Sequence, residues 1–344
     1  MKALILKEYN RLSYEEVADP EYGPNDVLVQ VKACGICGSD VHGMDGSTGR
    51  RIPPLIMGHE ASGVIEAVGG NVTGWVEGDR VTFDSTIYPL EDWYTRKGQY
   101  NLSDGRMVLG VSCGDYRRHG AFAEYVVVPE HILYRIPENV SFEQAAMVEP
   151  VAVALHAINL TPISLNDSAV VVGAGMIGTF IIQQLNAAGC GKIIAIDIEQ
   201  EKLNLALTLG ATAGLNPNKC DVPKEVFALT GSRGADIAFE AVGSEAAVNC
   251  AIHCVRKGAV VTVVGNTAPT VNFPVQQVVT RELRLQGSCA VCGEYEAVLD
   301  MIENGKVNTD VILSATAPLS EGPGWFKRLY KGEKGLMKVI LKPS

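Results

Sequence analysis

The spacing of apolar residues changes near residue 150, and this change predicts two architectures in one chain. Before that point, apolar residues recur at every second position in short runs that glycines separate, as expected for half-buried β-strands. The clearest runs cover residues 27–31, 62–68 and 123–128. The first part of the chain is therefore predicted to be rich in β-structure.

From about Val153, strand-like apolar runs alternate with segments of helix length. The predicted strands are 169–172, 192–197, 237–240, 260–264 and 283–286, and the predicted helices include 178–188 and 200–209. This alternation is typical of an α/β fold with a doubly wound parallel sheet. After about Gly287, a helix over 295–304 and a final strand over 337–341 complete the pattern.

Length and composition favour a two-domain globular protein. The chain of 344 residues is longer than the length that a single hydrophobic core usually supports, and 47% of its residues are hydrophobic. A net charge of −10 argues against nucleic acid and anionic membrane surfaces as partners. The apolar run at residues 3–6 is too short for a signal peptide, and glycines interrupt the longest apolar region, residues 169–182.

The nine cysteines are an odd number in a chain without a secretory signal, so no disulfide framework is expected and a cytoplasmic location is predicted. Two Cys-x-x-Cys pairs, Cys34/Cys37 and Cys289/Cys292, lie too far apart in sequence for a zinc ribbon.

A glycine motif predicts a dinucleotide site. Gly173-Ala-Gly175-Met-Ile-Gly178 follows a predicted strand and opens a predicted helix, and Asp197 ends the next strand. Such glycines permit a tight turn and close approach of the pyrophosphate to the helix N-terminus. Asp197 would accept hydrogen bonds from ribose hydroxyls and repel a 2′-phosphate, so NAD is favoured over NADP. The alternative is a glycine-rich turn that binds nothing. The predicted cofactor-binding residues are Gly173, Gly175, Met176, Ile177, Gly178, Asp197, Lys202, Val242 and Val264.

Four residues predict a catalytic zinc site with one open position: Cys37, His59, Glu60 and Glu149. Thiolate, imidazole and carboxylate are the ligands that zinc takes in proteins. These residues are spread along the chain, so only the fold can bring them together. Glu149 is left open between direct binding, binding through water and transient binding, because a second direct carboxylate would reduce the Lewis acidity of the ion.

Zinc chemistry on an alcohol requires a route for a proton. The metal lowers the pKa of a bound hydroxyl towards ~7, and the alkoxide then transfers hydride to nicotinamide. Ser39 is predicted to accept the proton and to pass it towards the cofactor ribose and His42. Asp40 would orient a metal ligand. A surface histidine is the alternative interpretation of His42. The predicted catalytic residues are Ser39, His42 and Glu149.

Together these motifs resemble the zinc-dependent medium-chain alcohol dehydrogenases, and within them the sorbitol or polyol dehydrogenase branch. The matching segments are Gly35-Ile-Cys37-Gly-Ser39-Asp40, Gly58-His59-Glu60-Ala-Ser-Gly63, Gly78-Asp-Arg-Val81, Val148-Glu149-Pro150, residues 173–178 and residues 326–338. The resemblance implies a GroES-like β-barrel catalytic domain that comprises residues 1–152 and 288–344. A Rossmann NAD-binding domain, residues 153–287, would interrupt it, and the active site would lie in the cleft between the two domains. It also implies Cys37, His59 and Glu60 as metal ligands, Glu149 as the additional ligand of the polyol branch, and a homo-oligomer, either tetramer or dimer.

One departure from the family concerns the lobe that commonly binds a structural zinc. By alignment, the four cysteine positions of that lobe hold Pro89, Asp92, Thr95 and Ser103. Without thiolates no structural zinc is expected, so one catalytic zinc per subunit is predicted. Packing of Trp93, Tyr94 and Tyr100, or a subunit interface, is then expected to hold the lobe.

The predicted reaction is oxidation of a secondary alcohol of a polyol or sugar derivative to the ketone by NAD. An alternative substrate is a sugar acid or sugar phosphate, if Arg117, Arg118 or His119 of the segment 115–119 pairs with its anionic group; solvated surface charge is the other interpretation of this segment. L-threonine-like secondary alcohols remain a further alternative. Two other classes, a zinc-free quinone or enoyl reductase and a non-catalytic nucleotide-binding protein, are disfavoured because the ligand residues and Ser39 are present.

Overall fold

The structure is a computed structural model that describes residues 1–113 and 116–343, with the side chain of Cys113 excluded. Asp115, part of the segment considered for anionic substrates, therefore lies outside the described residues. The chain divides into two compact units. The first unit comprises Met1–Glu149, Tyr295–Glu303 and Thr309–Ser344, and the second comprises Pro150–Glu294 and Asn304–Asn308. The domain limits given above stay a prediction.

The first unit begins with short strands and little helix. Its strands up to Arg135 are β1 (Lys2–Glu8), β2 (Arg11–Glu16), β3 (Asp26–Gly35), β4 (Leu55–Ile56), β5 (Glu60–Val68), β6 (Arg80–Phe83), β7 (Thr86–Ile87), β8 (Met107–Val108), β9 (Ser112–Cys113), β10 (Tyr116–Arg117), β11 (Tyr125–Pro129) and β12 (Leu133–Arg135). The helices of this region are α1 (Gly38–Gly43), α2 (Phe142–Ala146) and α3 (Val148–Asn159), the last of which crosses into the second unit.

The second unit alternates strands and helices. In chain order its elements are β13 (Ser168–Val172), α4 (Met176–Ala187), β14 (Lys192–Ile196), α5 (Gln200–Thr208), β15 (Ala213–Leu215), α6 (Val222–Leu229), β16 (Ala235–Glu240), α7 (Glu245–Cys254), β17 (Val255–Val263), α8 (Val275–Thr280) and β18 (Arg284–Gly287). The chain then returns to the first unit with α9 (Tyr295–Glu303), β19 (Leu313–Pro318), α10 (Gly322–Tyr330) and β20 (Lys338–Lys342).

The main sheet of the first unit joins distant parts of the sequence. Its strand order is β12-β6-β5-β3-β20-β19, and β11 also pairs with β3. Along β3 the first residues alternate between buried and half-buried, as the period-two pattern predicted. Residues such as Leu4, Val29, Phe83, Phe122 and Phe326 form the core behind this sheet. The sheet therefore fixes the relative positions of the carboxyl end of β3 and the start of β5.

The second unit contains the predicted doubly wound sheet, which is confirmed. Its order is β15-β14-β13-β16-β17-β18, and every neighbouring pair is parallel. All five residues of β13 are buried, as expected for a strand covered on both faces. Strand β17 begins at Val255, ahead of the predicted start, and β15 was not predicted. Strands β14 and β15 lie on one side of β13, and β16 to β18 lie on the other. The strand order therefore reverses between β13 and β16, and the crevice for a ligand lies at their carboxyl ends.

Within the described residues, no helix combines the length and hydropathy needed to cross a lipid bilayer.

Candidate functional site

Three of the predicted metal ligands come together in the first unit. Cys37, His59 and Glu60 each offer one ligand atom, and these atoms lie within 4.8 Å of one another. The pairing of β3 with β5 explains this meeting, because Gly35 at the end of β3 lies opposite Glu60 at the start of β5. Cys37 follows at once as the N-cap of α1. A Cβ atom on Gly35 would collide with Glu60 Oε2, so a larger residue there would displace the carboxylate from the cluster.

The residues of this cluster fit a zinc ion. His59 and Glu60 are buried, and Glu60 Oε1 has no hydrogen-bond partner among the described residues. A buried carboxylate oxygen without a donor is costly, and a cation removes that cost. Thiolate, imidazole and carboxylate together form the donor set of zinc in proteins.

A buried lysine balances the charge of Glu60. Lys338 Nζ pairs with Glu60 Oε2 and donates a hydrogen bond to the carbonyl of Ile36 over 3.1 Å. Burial by itself would lower the pKa of Lys338, but the charges of Glu60, Cys37 and Glu149 together outweigh it and the pKa is raised. Sequence reasoning did not identify this residue. The two partners are 278 positions apart, so no local pattern joins them.

Glu149 lies in the first turn of α3 and outside the tight group of three ligand atoms. Burial raises the pKa of its carboxyl to about 7, and the nearby Glu60 adds to this effect while His59 opposes it. The charges of Glu60 and His59 therefore act on the carboxyl of Glu149, although it is not one of the three clustered ligand groups.

Ser39 and Asp40 link the ligands to a second buried cation. Ser39 Oγ donates a hydrogen bond to Cys37 Sγ over 3.2 Å and accepts one from Arg51 Nη2 over 3.0 Å. Asp40 Oδ1 accepts from the same Nη2 over 2.9 Å and lies 3.5 Å from His59 Nδ1. Burial would raise the pKa of Asp40, but His59 and Arg51 hold it at about 2. Arg51 was not identified from the sequence.

The ring of His42, the other proposed relay residue, is exposed and makes no hydrogen bond to the part of the chain that the structure describes. The structure does not join it to Ser39, so its role in proton transfer stays a prediction.

The glycine loop in the second unit has the geometry of a phosphate-binding turn. Gly173 has a φ of +94°, a conformation that favours glycine. Gly175 is the N-cap of α4 and provides no side-chain cap, so the first amide groups of the helix stay available to an anion. Met176 and Ile177 form the first turn of α4. A Cβ on Gly178 would collide with the carbonyl of Gly173, so a glycine there permits close packing of helix and strand.

Asp197 follows β14 directly and faces the glycine loop. Its Oδ2 accepts a hydrogen bond from Ala174 N over 2.8 Å, and its Oδ1 accepts one from Glu199 N over 2.9 Å. Lys202 pairs with Glu199 over 2.6 Å. The structure therefore places Asp197 at the loop, whereas Lys202 is engaged by a different acid.

A buried glutamate at the end of β16 was missed by sequence reasoning. Glu240 Oε1 accepts hydrogen bonds from Val242 N over 2.8 Å and Gly243 N over 2.7 Å. Its backbone carbonyl accepts from Val264 N over 2.8 Å. Burial raises the pKa of Glu240, and the backbone amides oppose this effect. Glu240 thus fixes the loops that carry Val242 and Val264 at the carboxyl edge of the sheet.

The three cationic candidates for anionic substrates line a cavity of about 750 Å³ whose lining contains none of the three clustered ligands. Arg118 Nη2 donates to the carbonyl of Val127 over 3.2 Å, and His119 Nδ1 accepts from Ile56 N over 3.2 Å. Burial lowers the pKa of His119. Arg118 and His119 therefore bind backbone groups, and Arg117 is exposed.

The lobe without cysteines is packed by one of the aromatic residues that were expected to hold it. Tyr100 is buried, stacks on Tyr88 at 4.1 Å between ring centroids, and donates to Asp84 Oδ2 over 2.6 Å. Trp93 is 63% exposed and contacts Tyr94 edge-on. Tyr100 therefore packs the lobe as expected, whereas the ring of Trp93 lies at the surface of the subunit, and the alternative of a subunit interface stays a prediction for Trp93.

Comparison with known proteins gives matches along almost the whole chain. Residues 23–138 match the family model of the alcohol dehydrogenase GroES-like domain, and residues 177–304 match that of zinc-binding dehydrogenase. D-xylulose reductase A of Aspergillus niger is 32% identical over 98% of this chain and 96% of its own. Among solved structures, alcohol dehydrogenase TADH from Thermus sp. ATN1 is 32% identical with a TM-score of 0.93, covering 100% of both chains. Galactitol-1-phosphate dehydrogenase from Escherichia coli is 26% identical with a TM-score of 0.92, also covering 100% of both chains.

Proposed function

This chain belongs to the zinc-dependent medium-chain alcohol dehydrogenases, which use zinc and a nicotinamide cofactor, and on that premise we propose the reaction that it catalyses. The protein oxidises a secondary alcohol of a polyol or sugar derivative to the ketone and reduces NAD. The observation that carries this proposal is the convergence of the Cys37, His59 and Glu60 ligand atoms within 4.8 Å. The similarity to a D-xylulose reductase supports a polyol as the substrate class.

Cys37, His59 and Glu60 hold the zinc ion in this proposal. When bound, zinc supplies the Lewis acidity that lowers the pKa of the substrate hydroxyl. Ser39 relays the hydroxyl proton: its Oγ accepts it through the lone pair that the bond from Arg51 leaves free, and its own proton passes on towards the cofactor ribose. Glu149 lies outside the group of three ligand atoms. In this proposal its carboxylate therefore orients the substrate beside the zinc ion.

The second unit supplies the cofactor contacts. The amides at the start of α4 receive the pyrophosphate, and the loop 173–178 permits its close approach. Asp197 binds the adenosine ribose and disfavours a 2′-phosphate, which is the reason to propose NAD. Val242 and Val264, which Glu240 anchors through backbone hydrogen bonds, form the opposite wall of the crevice.

The oligomeric state and location extend this proposal. Strand β18 is an edge of the parallel sheet, and Val275 and Val279 of α8 are 60% and 70% exposed. Unpaired edge strands beside apolar side chains are suited to pairing with a second copy. We therefore propose a dimer through this edge, with a tetramer as the larger assembly. Six cysteines of the described residues, Cys34, Cys37, Cys190, Cys220, Cys250 and Cys254, form no disulfide, which supports a reducing compartment such as the cytoplasm.

The direct test combines metal analysis with a substrate panel. The purified protein is assayed for NAD reduction with sorbitol, xylitol, galactitol 1-phosphate, a sugar acid and L-threonine, beside the Cys37→Ala variant. Turnover of neutral polyols that depends on zinc and is lost in Cys37→Ala supports the proposal. Absence of zinc from the native protein, or zinc without turnover of any alcohol, contradicts it.

A second candidate is a sugar-phosphate dehydrogenase, favoured by the similarity to galactitol-1-phosphate dehydrogenase. The same panel decides between the two. A preference for sorbitol or xylitol that is unchanged in Arg117→Ala and Arg118→Ala excludes the anionic substrate, whereas a preference for the phosphate that these changes abolish supports it.

A further inference from the structure

Arg51 is a buried arginine with every nitrogen of its guanidinium engaged. Its side chain is 3% exposed. Nε donates to Asp40 Oδ1 over 3.1 Å, and Nη1 donates to the carbonyl of Arg50 over 3.1 Å. Nη2 donates to both Asp40 Oδ1, over 2.9 Å, and Ser39 Oγ, over 3.0 Å. Burial of a charged group is costly unless its geometry is well satisfied, so this arrangement fixes the guanidinium in one position.

Two short chains of contacts lead from Arg51 to the zinc ligands. The first passes through Asp40, whose Oδ1 lies 3.5 Å from His59 Nδ1 and whose Oδ2 accepts a hydrogen bond from Cys37 N over 3.4 Å. The second passes through Ser39, whose hydroxyl donates to Cys37 Sγ over 3.2 Å. Arg51 therefore holds the two groups that contact Cys37 and His59, although it forms no hydrogen bond with either ligand itself.

We propose that Arg51 is a positioning residue that holds Cys37 and His59 in the geometry that zinc requires and directs a lone pair of Ser39 towards the substrate. The inference rests on the proposed zinc site. Groups that hydrogen-bond to metal ligands fix their orientation, and their loss typically costs about 10- to 100-fold in metal affinity. Arg51 does not bond to a ligand directly, but it takes part in both series of contacts, through Asp40 and through Ser39. Removing it therefore frees Cys37 and His59 at once.

The packing of the arginine stem offers a way to move Arg51 without removing its charge. A Cβ atom on Gly43 would lie 2.5 Å from Arg51 Cγ and 3.4 Å from Arg51 Cβ. Gly43→Ala therefore displaces the stem and shifts the guanidinium, while every charged group of the site is kept. Arg50 provides the matched control, because it is the adjacent arginine and its side chain is exposed.

The experiment measures zinc affinity by competition with a chromogenic chelator, and ligand geometry from the visible absorption of the cobalt-substituted protein. The variants are Arg51→Met, Arg51→Lys, Gly43→Ala and the control Arg50→Met. The expected result is that zinc affinity falls by roughly 10- to 100-fold in Arg51→Met. A smaller fall is expected in Arg51→Lys and Gly43→Ala, with altered cobalt spectra in all three and none of these changes in Arg50→Met.

Steady-state kinetics give a second readout: kcat falls in Arg51→Met, whereas the KM for NAD does not change. Wild-type affinity and an unaltered cobalt spectrum in Arg51→Met overturn the inference, even if the enzyme proves to be a zinc dehydrogenase. If Arg51→Met does not fold, unchanged affinity and spectrum in Gly43→Ala overturn it instead. A native protein that binds neither zinc nor cobalt contradicts the proposed function itself, so the two failures are distinguishable.

Discussion

The backbone amide of Ala174 donates a hydrogen bond to Asp197 Oδ2 over 2.8 Å, so the acid that follows β14 holds the glycine loop that follows β13. Its other oxygen, Oδ1, accepts from Glu199 N over 2.9 Å. Each carboxylate oxygen has a further lone pair for a ribose hydroxyl. Asp197 therefore has two tasks, to support the loop and to recognise the cofactor, and these tasks can be measured separately.

Removing the carboxylate of Asp197 is expected to shift the cofactor preference. In Asp197→Ala the KM for NAD rises far more than the KM for NADP, because the ribose contact and the repulsion of a 2′-phosphate are lost together. The ratio of kcat/KM for NAD to that for NADP should fall by about tenfold or more, which corresponds to about 1.4 kcal/mol. Glu201→Ala is the control, since Glu201 is an exposed acid of α5. Equal changes for both cofactors would refute this role for Asp197.

Two glycines of the loop are expected to respond differently to alanine. Apart from its two chain neighbours, none of the described residues has an atom within 4 Å of a Cβ built on Gly175, and its φ of −72° suits any residue. Gly175→Ala should therefore keep the thermal midpoint of the protein but weaken NADH binding by about tenfold or more, because the methyl group occupies the path of the pyrophosphate. Fluorescence titration with NADH and thermal unfolding without cofactor measure the two effects.

Gly178→Ala provides the contrast, because its Cβ would collide with the carbonyl of Gly173. This change should lower both NADH affinity and the thermal midpoint. Undiminished NADH binding in both variants would show that the loop does not contact the pyrophosphate.

The zinc content of variants is expected to distinguish the role of Glu149 from that of the clustered ligands. Elemental analysis is expected to find about one zinc per chain, because the lobe positions 89, 92, 95 and 103 supply no thiolate. Cys37→Ala and His59→Ala should lose the ion. Glu149→Ala should keep it and lose kcat, because its carboxylate lies outside the group within 4.8 Å.

Chelation with dipicolinate should abolish activity, and added zinc should restore it. A second zinc in the native protein, or loss of zinc in Glu149→Ala, would contradict these assignments.

The ion pair of the half-buried Asp236 in the second unit predicts how the stability of the protein depends on pH. Asp236 accepts hydrogen bonds from Arg256 Nε over 2.7 Å and Ser168 Oγ over 2.7 Å. Burial would raise its pKa, but these partners lower the pKa to about 2 from the ordinary 3.8. Because the folded-state pKa is depressed, the stabilisation is complete above about pH 4 and is lost as the pH falls towards about 2.

The side chain of Asp236 is 14% exposed, so Asp236→Asn should cost about 2 kcal/mol or less of unfolding free energy at pH 7. Denaturant unfolding at pH 7 and below pH 3 measures the difference between variant and native protein. A difference that persists unchanged at low pH would contradict the role of the charge.

The sequence predicted those features that depend on neighbouring residues. The run before Gly173, the glycine spacing and the acid after the next strand predicted the alternating strands and the phosphate loop, because strand formation and tight turns follow from local composition. The strand β15 was missed because its three residues, Ala213–Leu215, are too few to show a period. The sequence left open whether Trp93 packs within the lobe or against another subunit, because aromatic character does not reveal which side of a lobe faces solvent.

Residue types and spacing alone thus determined the chemistry that the chain is able to hold: a thiolate, an imidazole and carboxylates for a metal, and a glycine turn for a dinucleotide. Only the tertiary structure decided which charges support that chemistry. Arg51 and Lys338 are buried cations whose partners, Asp40 and Glu60, lie 11 and 278 positions away. Such pairs have no periodic signal in sequence, because only the tertiary fold brings the two groups together where their attraction, strengthened by low dielectric, offsets the cost of removing them from water.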